Sequence, residues 1–176
     1  MNSMTKKLIR RFLFPQFVVC IYYLVKYGAK ISFKAEVDLS SNLKMGKGVV
    51  ISSFTKLKAI GGPVELGAGS GFATGCFIST GKKGIITGKN FLCGPNVSIT
   101  ASNYVANRLG EGSHTSRGIR IGDNVWIGAN SSILDGSEIG DNTVVYANSV
   151  ISGKYPPNVI LRGCPAKVIL ENKQRD

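Results

Sequence analysis

The chain has 176 residues, of which 43% are hydrophobic and 18% charged, and its formal charge is +12. This length fits one domain, and the positive charge suggests a polyanionic neighbour such as an anionic membrane surface, an acidic sugar polymer or nucleic acid. No nucleic-acid-binding signature accompanies the basic residues, so nucleic acid is excluded as the expected partner, whereas an ordinary solvated basic surface stays open.

The positive charge is concentrated near the N-terminus, because residues 1–58 hold eleven Lys and Arg against Glu36 and Asp38. Residues 12–25 carry no charge, but this stretch is too short for a transmembrane helix, which needs about twenty apolar residues. No small-residue cleavage site follows, so we do not expect a secretory signal peptide. We expect a cytoplasmic protein, either free or peripheral at the inner face of the membrane.

Two interpretations of residues 1–35 stay open. The segment is either a short helix that caps the exposed apolar end of the first coil, or a membrane-surface segment in which residues 1–34 bring aromatic and basic side chains to anionic lipid. The two interpretations do not exclude one another.

A six-residue repeat fills residues 36–155. Neither a helix nor a single strand has this period, and it is typical of a parallel β-helix with three short strands in each coil. The repeat therefore predicts an all-β chain with one inward side chain per hexad. The predicted inward residues are Leu39, Met45, Ile51, Leu57, Leu66, Phe72, Ile78, Thr87, Cys93, Ile99, Ile121, Ile127, Ile133, Ile139, Val145 and Ile151.

Two further patterns follow the hexads. Small residues recur two places before the inward residue, at Ser131, Ser137, Thr143 and Ser149, which indicates tightly wound coils. Gly-Asp-Asn follows the inward residue at 122–124 and 140–142. Because Gly and Asn tolerate left-handed backbone best, we expect both residue types to serve that conformation at the corners.

The cysteines are Cys20, Cys76, Cys93 and Cys164, and no two of them form a CxxC pair. Their spacing matches neither a zinc site nor a secreted disulfide framework, so free thiols in a reducing compartment are expected. Cys93 occupies an inward position, where a thiol packs as a small apolar residue.

The repeat stops after Ser102 and returns in register at Ile119, which predicts an extruded loop at 103–118. Loops of this length without their own pattern are usually functional or disordered. This one contains His114, the single histidine of the chain, so His114 is a candidate catalytic residue; an ordinary surface histidine is the alternative. Residues 156–176, which begin at Pro156-Pro157, are expected to form a C-terminal cap and tail.

After the loop, residues 121–130 (IGDNVWIGAN) and 163–169 (GCPAKVI) resemble the hexapeptide-repeat acyltransferases, especially the galactoside, maltose and cell-surface polysaccharide O-acetyltransferases. The resemblance covers residues 39–169 and is specific from Pro95 onwards. It implies a left-handed parallel β-helix, a homotrimer with active sites between subunits, and acetyl-CoA as the acyl donor in a groove beside the coils. The handedness rests on the resemblance, because ordinary crossovers are right-handed.

In such enzymes a histidine takes the proton from the acceptor hydroxyl as it attacks the thioester, and a backbone N–H stabilises the oxyanion. Alignment on residues 96–99 puts Tyr104 at the place of that histidine. A tyrosine, with a reference pKa near 10, is a poor base, so Tyr104 is expected to orient substrate or act as an acid. Three interpretations stay open: His114 is a relocated base, which we favour; the activity is weak or lost; or the loop aligns differently and brings His114 to the usual place.

The resemblance also implies contacts to the coenzyme and the acceptor. Trp126 would wall the acetyl pocket, and the backbone of Ala129 and Ala147 would meet the pantetheine arm. Asn96 would face the acceptor sugar, although a corner asparagine in left-handed backbone explains it equally well. The remaining expected coenzyme contacts are Ser152, Lys154 and Lys167, the last at the 3′-phosphate. Surface solvation is the alternative for both lysines.

The sequence therefore predicts an O-acetyltransferase that moves an acetyl group from acetyl-CoA to a sugar hydroxyl in cell-surface polysaccharide biosynthesis. A lipid-linked or growing glycan is the expected acceptor. The alternative is a catalytically impaired hexapeptide-repeat scaffold or sugar-binding protein. We expect no metal, because the zinc class that shares this fold needs three distinct histidines.

Overall fold

The computed structural model describes residues 15–105 and 114–172. Its first element is helix α1 (Gln16–Tyr27), which begins after Pro15 and ends at Gly28 in left-handed backbone (φ 65°). One side of the helix packs on the first strands and buries Val19, Cys20 and Tyr23. The Tyr23 hydroxyl donates a hydrogen bond to the carbonyl oxygen of Asp38 at 2.9 Å. The helix therefore covers the start of the repeat.

Apart from one antiparallel hairpin, described below, and the antiparallel last strand, the rest of the described chain forms short strands that visit three parallel sheets in turn. The first sheet contains β1 (Lys30–Ile31), β4 (Val50–Ile51), β7 (Gly71–Phe72), β10 (Leu92–Cys93), β15 (Trp126–Ile127), β18 (Val144–Val145), β21 (Val159–Gly163) and β22 (Ala166–Glu171). The second contains β2 (Glu36–Val37), β5 (Lys56–Lys58), β8 (Phe77–Ser79), β11 (Ser98–Thr100), β16 (Ser132–Leu134) and β19 (Val150–Ile151). The third contains β3 (Leu43–Met45), β6 (Val64–Leu66), β9 (Ile85–Thr87), β14 (Ile119–Ile121), β17 (Glu138–Ile139) and β20 (Lys154–Tyr155).

The pairing register explains the six-residue repeat. Within each sheet an inward residue pairs with its counterpart on the next coil, as Ile99 does with Ile133 and Ile127 does with Val145. These side chains are fully or almost fully buried. The prediction of mostly β structure in parallel sheets is confirmed, and so is the burial of every predicted inward residue except Leu39.

The prediction that Leu39 points inward is wrong. Val37 is the buried residue of the first coil and pairs with Leu57, whereas Leu39 is only half-buried. The next inward residue in the third sheet is Met45, which pairs with Leu66. The spacing from Val37 to Met45 is therefore eight residues, because this corner holds two residues more than a regular hexad.

At the corners at 122–124 and 140–142, where the chain passes from one sheet to the next, Gly and Asn have different roles. Asn124 and Asn142 have φ values of 55° and 54°, whereas Gly122 and Gly140 do not adopt positive φ. A Cβ on Gly122 would lie 2.7 Å from the backbone nitrogen of Asp141. The expectation that these glycines serve left-handed backbone is wrong: asparagine supplies that conformation, and glycine permits the close approach of the next coil.

The small residues before each inward position are buried as predicted. Ser131, Ser137 and Thr143 have no measurable exposure. Their hydroxyls bond to backbone carbonyls, for example Ser137 to the carbonyl of Leu134 at 2.7 Å. Among the residues that the structure describes, every buried side-chain nitrogen or oxygen has a hydrogen-bond partner.

At the C-terminal end, β21 turns back into β22, and the two strands pair antiparallel at the edge of the first sheet. Cys164 lies in this turn and is exposed, whereas Cys20, Cys76 and Cys93 are buried; all four are free thiols. Within residues 15–105 and 114–172, no helix is long and apolar enough to cross a membrane.

Candidate active site

The single histidine lies in a small hairpin between the second and third sheets. After β11, strand β12 (Asn103–Tyr104) pairs antiparallel with β13 (His114–Thr115), and Tyr104 is the direct partner of His114. Their ring centroids are 4.0 Å apart, with the ring planes tilted by 44°. Both side chains are exposed. The structure thus places His114 beside Tyr104, the position at which the resemblance leads us to expect a catalytic histidine.

Asp135, on the following coil, holds the base of this hairpin. Its Oδ1 accepts hydrogen bonds from the backbone N–H of Arg117 at 2.8 Å and of Gly118 at 2.9 Å. Its Oδ2 accepts from the Thr115 hydroxyl at 3.4 Å. Three residues that follow His114 are therefore tied to one carboxylate, which fixes the direction in which β13 leaves the coils.

Ser116 anchors the hairpin from the other side. Its hydroxyl donates to the carbonyl of Ala101 at 3.1 Å and accepts the N–H of Lys83 at 3.0 Å. Sequence reasoning missed both Asp135 and Ser116. The available signal was that Asp135 follows Arg117 by eighteen residues, the length of one regular coil, so it had to lie under the point where the loop returns.

A second group of candidate residues lies at the corner between the first and second sheets. The Asn148 N–H donates to the carbonyl of Ala129 at 2.9 Å, and a Cβ on Gly128 would lie 2.4 Å from the nitrogen of Ala147. Ala129 and Ala147 are therefore stacked on consecutive coils. Their side chains are single methyl groups, and Ala147 is exposed whereas Ala129 is half-buried.

Asn96 lies at the same corner, one coil before Ala129. Its φ is 57°, and its side-chain Nδ2 donates to Oδ1 of Asn130 at 3.2 Å. Both observations favour a structural role at the corner. A contact to an acceptor sugar would have to use the remaining hydrogen-bonding capacity of the amide.

Trp126 leads into this corner along the outer face of the first sheet. It pairs with Leu92 on one side and Val144 on the other, and the indole is 45% exposed. Tyr146, at the corner itself, is 40% exposed. An apolar strip therefore runs from Trp126 to the stacked alanines.

Two cations lie at the C-terminal end of the strip. Lys167 in β22 pairs directly with Arg162 in β21, and the Tyr146 N–H donates to the carbonyl of Leu161, beside Arg162, at 2.9 Å. Both cations are exposed, and neither takes part in an ion pair within the described ranges. Like charges directly opposite each other are unfavourable without an anion, so this pair suits a phosphate.

Lys154 differs from Lys167 in both position and charge environment. Its Nζ lies 3.0 Å from Oε1 of Glu138, so a carboxylate already neutralises it. Lys154 and Ser152 stand at the corner between the second and third sheets, the side on which Asp135 holds the hairpin. The candidate residues thus fall into two groups, one at each end of the second sheet's strands.

The arrangement suits an elongated anionic ligand. An exposed indole, an open alanine corner and a cation pair lie along one edge, and a proton acceptor, His114, stands in the hairpin. Sequence reasoning missed Arg162, which was recognisable only as the basic residue before the motif at 163–169. Across the residues that the structure describes, no three His, Cys, Asp or Glu side chains group as metal ligands would.

Comparison with known families identifies the repeat. Residues 118–153 match the family described as bacterial transferase hexapeptide, six repeats. This segment is a transferase hexapeptide repeat. Galactoside O-acetyltransferase from Escherichia coli (strain K12) is 40% identical to the chain over 94 residues, which are 52% of this chain and 46% of that protein. The resemblance to hexapeptide-repeat acyltransferases is confirmed, and the chain spans about half the length of the curated relatives it matches.

Solved structures share the fold of this chain. A variant of AntD, an N-acyltransferase from Bacillus cereus in complex with dTDP and coenzyme A, superposes with a TM-score of 0.78 at 21% identity, covering 88% of this chain and 89% of that one. PerB from Caulobacter crescentus, in complex with CoA and GDP-perosamine, gives 0.63 at 21% identity, covering 80% and 56%. At this level of identity the likeness shows the fold.

Proposed function

We propose that the protein is an acetyl-CoA-dependent O-acetyltransferase acting on a sugar hydroxyl in cell-surface polysaccharide biosynthesis. The observation that carries the proposal is the pairing of His114 with Tyr104, because the resemblance predicts a catalytic imidazole at the position of Tyr104. The curated relative named galactoside O-acetyltransferase supports acyl transfer to a sugar.

His114 acts as the general base. Its imidazole accepts the proton of the acceptor hydroxyl while that oxygen attacks the thioester carbonyl, and a backbone N–H stabilises the oxyanion. Collapse of the tetrahedral intermediate expels the coenzyme thiolate, which takes the proton from the imidazolium. Tyr104, in ring contact with His114, orients the imidazole and the acceptor.

The acyl donor lies along the edge formed by Trp126, Ala129 and Ala147. Coenzyme A is an elongated molecule with phosphates at one end, and the cation pair of Arg162 and Lys167 supplies the charge that its 3′-phosphate needs. Lys154 is already paired with Glu138. We therefore assign Lys154 and Ser152 a weaker contact to the coenzyme, on the side of the hairpin. Asn96 contacts the acceptor only through groups that its bond to Asn130 leaves available.

The proposed architecture is a closed left-handed β-helix over residues 36–155, with an extruded loop at 103–118, an N-terminal segment at 1–35 and a C-terminal cap and tail at 156–176.

We infer a homotrimer, because in one chain the two groups of candidate residues lie at different corners, and a neighbouring copy would complete each site. The acceptor is a lipid-linked or growing glycan.

The test is acetyl-CoA turnover with a panel of sugar acceptors for wild type, His114→Ala and Tyr104→Phe, with coenzyme binding measured by calorimetry. Loss of a general base lowers turnover by about 10²- to 10⁴-fold, so His114→Ala should lose activity while binding coenzyme normally. Tyr104→Phe should lose less. Turnover that survives His114→Ala would contradict the assignment, and coenzyme binding without turnover in wild type would favour the impaired scaffold.

A second measurement tests the phosphate assignment. Lys167→Ala and Arg162→Ala should weaken binding of coenzyme A but not of its analogue lacking the 3′-phosphate. Lys47→Ala, an exposed lysine near the other end of the repeat, is the control and should bind both forms like wild type. Equal losses of affinity for both ligands would show that Arg162 and Lys167 do not bind the 3′-phosphate.

A further inference from the structure

Helix α1 is apolar on two opposite sides. Val19, Cys20 and Tyr23 are buried against the first coil. On the other side Phe17, Ile21, Leu24 and Val25 are 53%, 51%, 51% and 81% exposed. A helix that is hydrophobic all round is normally buried on all sides. The outer side of α1 therefore has the composition of a surface that contacts another apolar surface.

The exposed apolar surface continues from the helix onto the strands. A cleft of about 630 Å³ is lined by Ile21 and Leu24 of α1 and by Phe33 and Val50 of the first coils. Phe33 is 70% exposed and Val50 is 42% exposed. Contiguous exposed apolar patches of this kind mark interaction sites in soluble proteins.

Phe54 lies on the same coil as Val50, at the corner that follows it, and has unusual backbone. Its N–H donates to the carbonyl of Lys34, next to Phe33, at 3.0 Å. Its φ is 60°, at a corner where the following coils carry Gly75 and Asn96 in left-handed backbone. A bulky side chain at positive φ is a true outlier, yet this aromatic ring is 66% exposed. Core packing therefore does not explain why a phenylalanine stands there.

The helix and the first strand that carry most of this surface have only basic charged side chains, and Glu36, which follows them, pairs with Lys56 at 2.7 Å. Residues 15–35 contain Lys26, Lys30 and Lys34 and no acidic residue. Lys30 lines the cleft, and the Lys34 ammonium lies 5.8 Å from the centroid of the Phe54 ring. Aromatic and aliphatic side chains beside lysines match the interface of an anionic bilayer, where apolar groups enter the headgroup region and ammonium groups pair with lipid phosphates.

We propose that Ile21, Leu24, Phe33, Val50 and Phe54, here called the N-terminal apolar face, dock on an anionic phospholipid membrane. The inference is independent of the acyl-transfer chemistry and would hold the protein at the surface without crossing it. Lys30 and Lys34 supply the electrostatic attraction, so binding depends on anionic lipid and weakens as salt increases.

The experiment is co-sedimentation of the full chain with vesicles of phosphatidylcholine alone or mixed with phosphatidylglycerol. Wild type should sediment only with the mixed vesicles. Leu24→Gln should weaken binding about tenfold, because roughly half of a leucine's transfer free energy is lost. Lys30→Gln and Lys34→Gln should each weaken vesicle binding about fivefold, because one lysine near an anionic surface strengthens binding by about that factor.

Two variants separate docking from structural damage. Leu170→Gln is the matched control: Leu170 is 58% exposed on β22 at the opposite edge of the first sheet, and its replacement should leave vesicle binding unchanged. Phe54→Asn should raise the melting temperature, since Asn suits positive φ, and should nevertheless weaken vesicle binding. A purely structural role for Phe54 predicts no loss of binding.

Three results would overturn the proposal. One is failure of the full chain to sediment with the mixed vesicles. Another is equal loss of binding in Leu24→Gln and Leu170→Gln. The third is a change of oligomeric state in Leu24→Gln by light scattering, because a second copy of the chain would then cover the face. None of these measurements uses acetyl-CoA, so failure of the proposed enzymatic function leaves them unaffected.

Discussion

Replacement of Asp135 by Ala should loosen the hairpin that carries His114. The Asp135 carboxylate is the only acceptor that the described structure gives to the backbone N–H groups of Arg117 and Gly118. In Asp135→Ala both donors lose their partner at once, and the Thr115 hydroxyl loses a weaker one. β13 should then no longer be held in a fixed direction.

The expected magnitude follows from these contacts. Hydrogen bonds to a charged group contribute about 1.5 to 3 kcal/mol each, but Asp135 is only half-buried, so water replaces part of the loss. We expect Asp135→Ala to lower the free energy of unfolding by about 2 kcal/mol, which for a chain of this size corresponds to about 4 to 8 °C in melting temperature. Asp135→Asn keeps one acceptor oxygen and should lose about half as much.

The assay combines thermal unfolding with amide hydrogen exchange. In Asp135→Ala the amides of Arg117 and Gly118 should exchange faster, and turnover should fall while coenzyme affinity stays constant. Asp123→Ala is the control, because the Asp123 carboxylate also accepts a backbone N–H, from Lys89 at 2.7 Å, at a corner away from the hairpin. It should lower the melting temperature without affecting turnover.

Unchanged exchange at Arg117 and Gly118 in Asp135→Ala would refute this reasoning. It would mean that other contacts, such as the bonds of Ser116 to Ala101 and Lys83, are sufficient to hold the hairpin. Equal losses of turnover in Asp135→Ala and Asp123→Ala would show a general loss of stability and no specific support of His114.

Three other predictions concern the coils. Gly122→Ala should destabilise the fold by about 1 to 3 kcal/mol in denaturant unfolding, because its Cβ would meet the Asp141 backbone at 2.7 Å; wild-type stability would show that the coils can separate slightly. Asn142→Ala should cost about 1 to 2 kcal/mol, since it removes a residue suited to a φ of 54° together with two side-chain hydrogen bonds; an unchanged unfolding midpoint would contradict that. Burial raises the pKa of the Cys93 thiol well above its ordinary value of 9.0, so an alkylating reagent should label native Cys164 and leave Cys93 unmodified until unfolding. Because the folded chain holds the Cys93 proton more tightly than the unfolded chain, the stability that this thiol contributes is fully present below pH 9.0. The free energy of unfolding should therefore fall as pH rises above that value in wild type but not in Cys93→Ala.

Much of the fold was predictable because the repeat has a fixed physical meaning. A side chain every six residues must point to one interior if each coil has three strands, so the burial of Ile121 through Ile151 followed from spacing alone. Leu39 was mispredicted because the same rule assumes that every corner has the same length. Two extra residues in the first corner shift the phase, and Tyr23 of helix α1 bonds to this corner from outside the repeat.

The site was less predictable, because its contacts join residues from different coils or strands. No period in the sequence specifies the hairpin register that pairs Tyr104 with His114. The role of Arg162 became visible only when the terminal hairpin placed it beside Lys167, and the only sequence signal for Asp135 was its spacing of one coil from Arg117. The division of roles between Gly122 and Asn124 was also hidden, since both residue types fit a tight corner by composition.

The first sheet also sets the distance between Trp126 and the cation pair of Arg162 and Lys167. Trp126 lies on β15 and Arg162 on β21, and only β18 stands between them. Neighbouring strands are about 4.8 Å apart, so the indole and the cation pair are separated by two strand spacings, about 10 Å along the stack. That separation can change only in whole steps, by the gain or loss of a complete coil. A chain with one coil fewer would keep its core, its corners and both ends, but its indole and its cation pair would lie one strand spacing closer together.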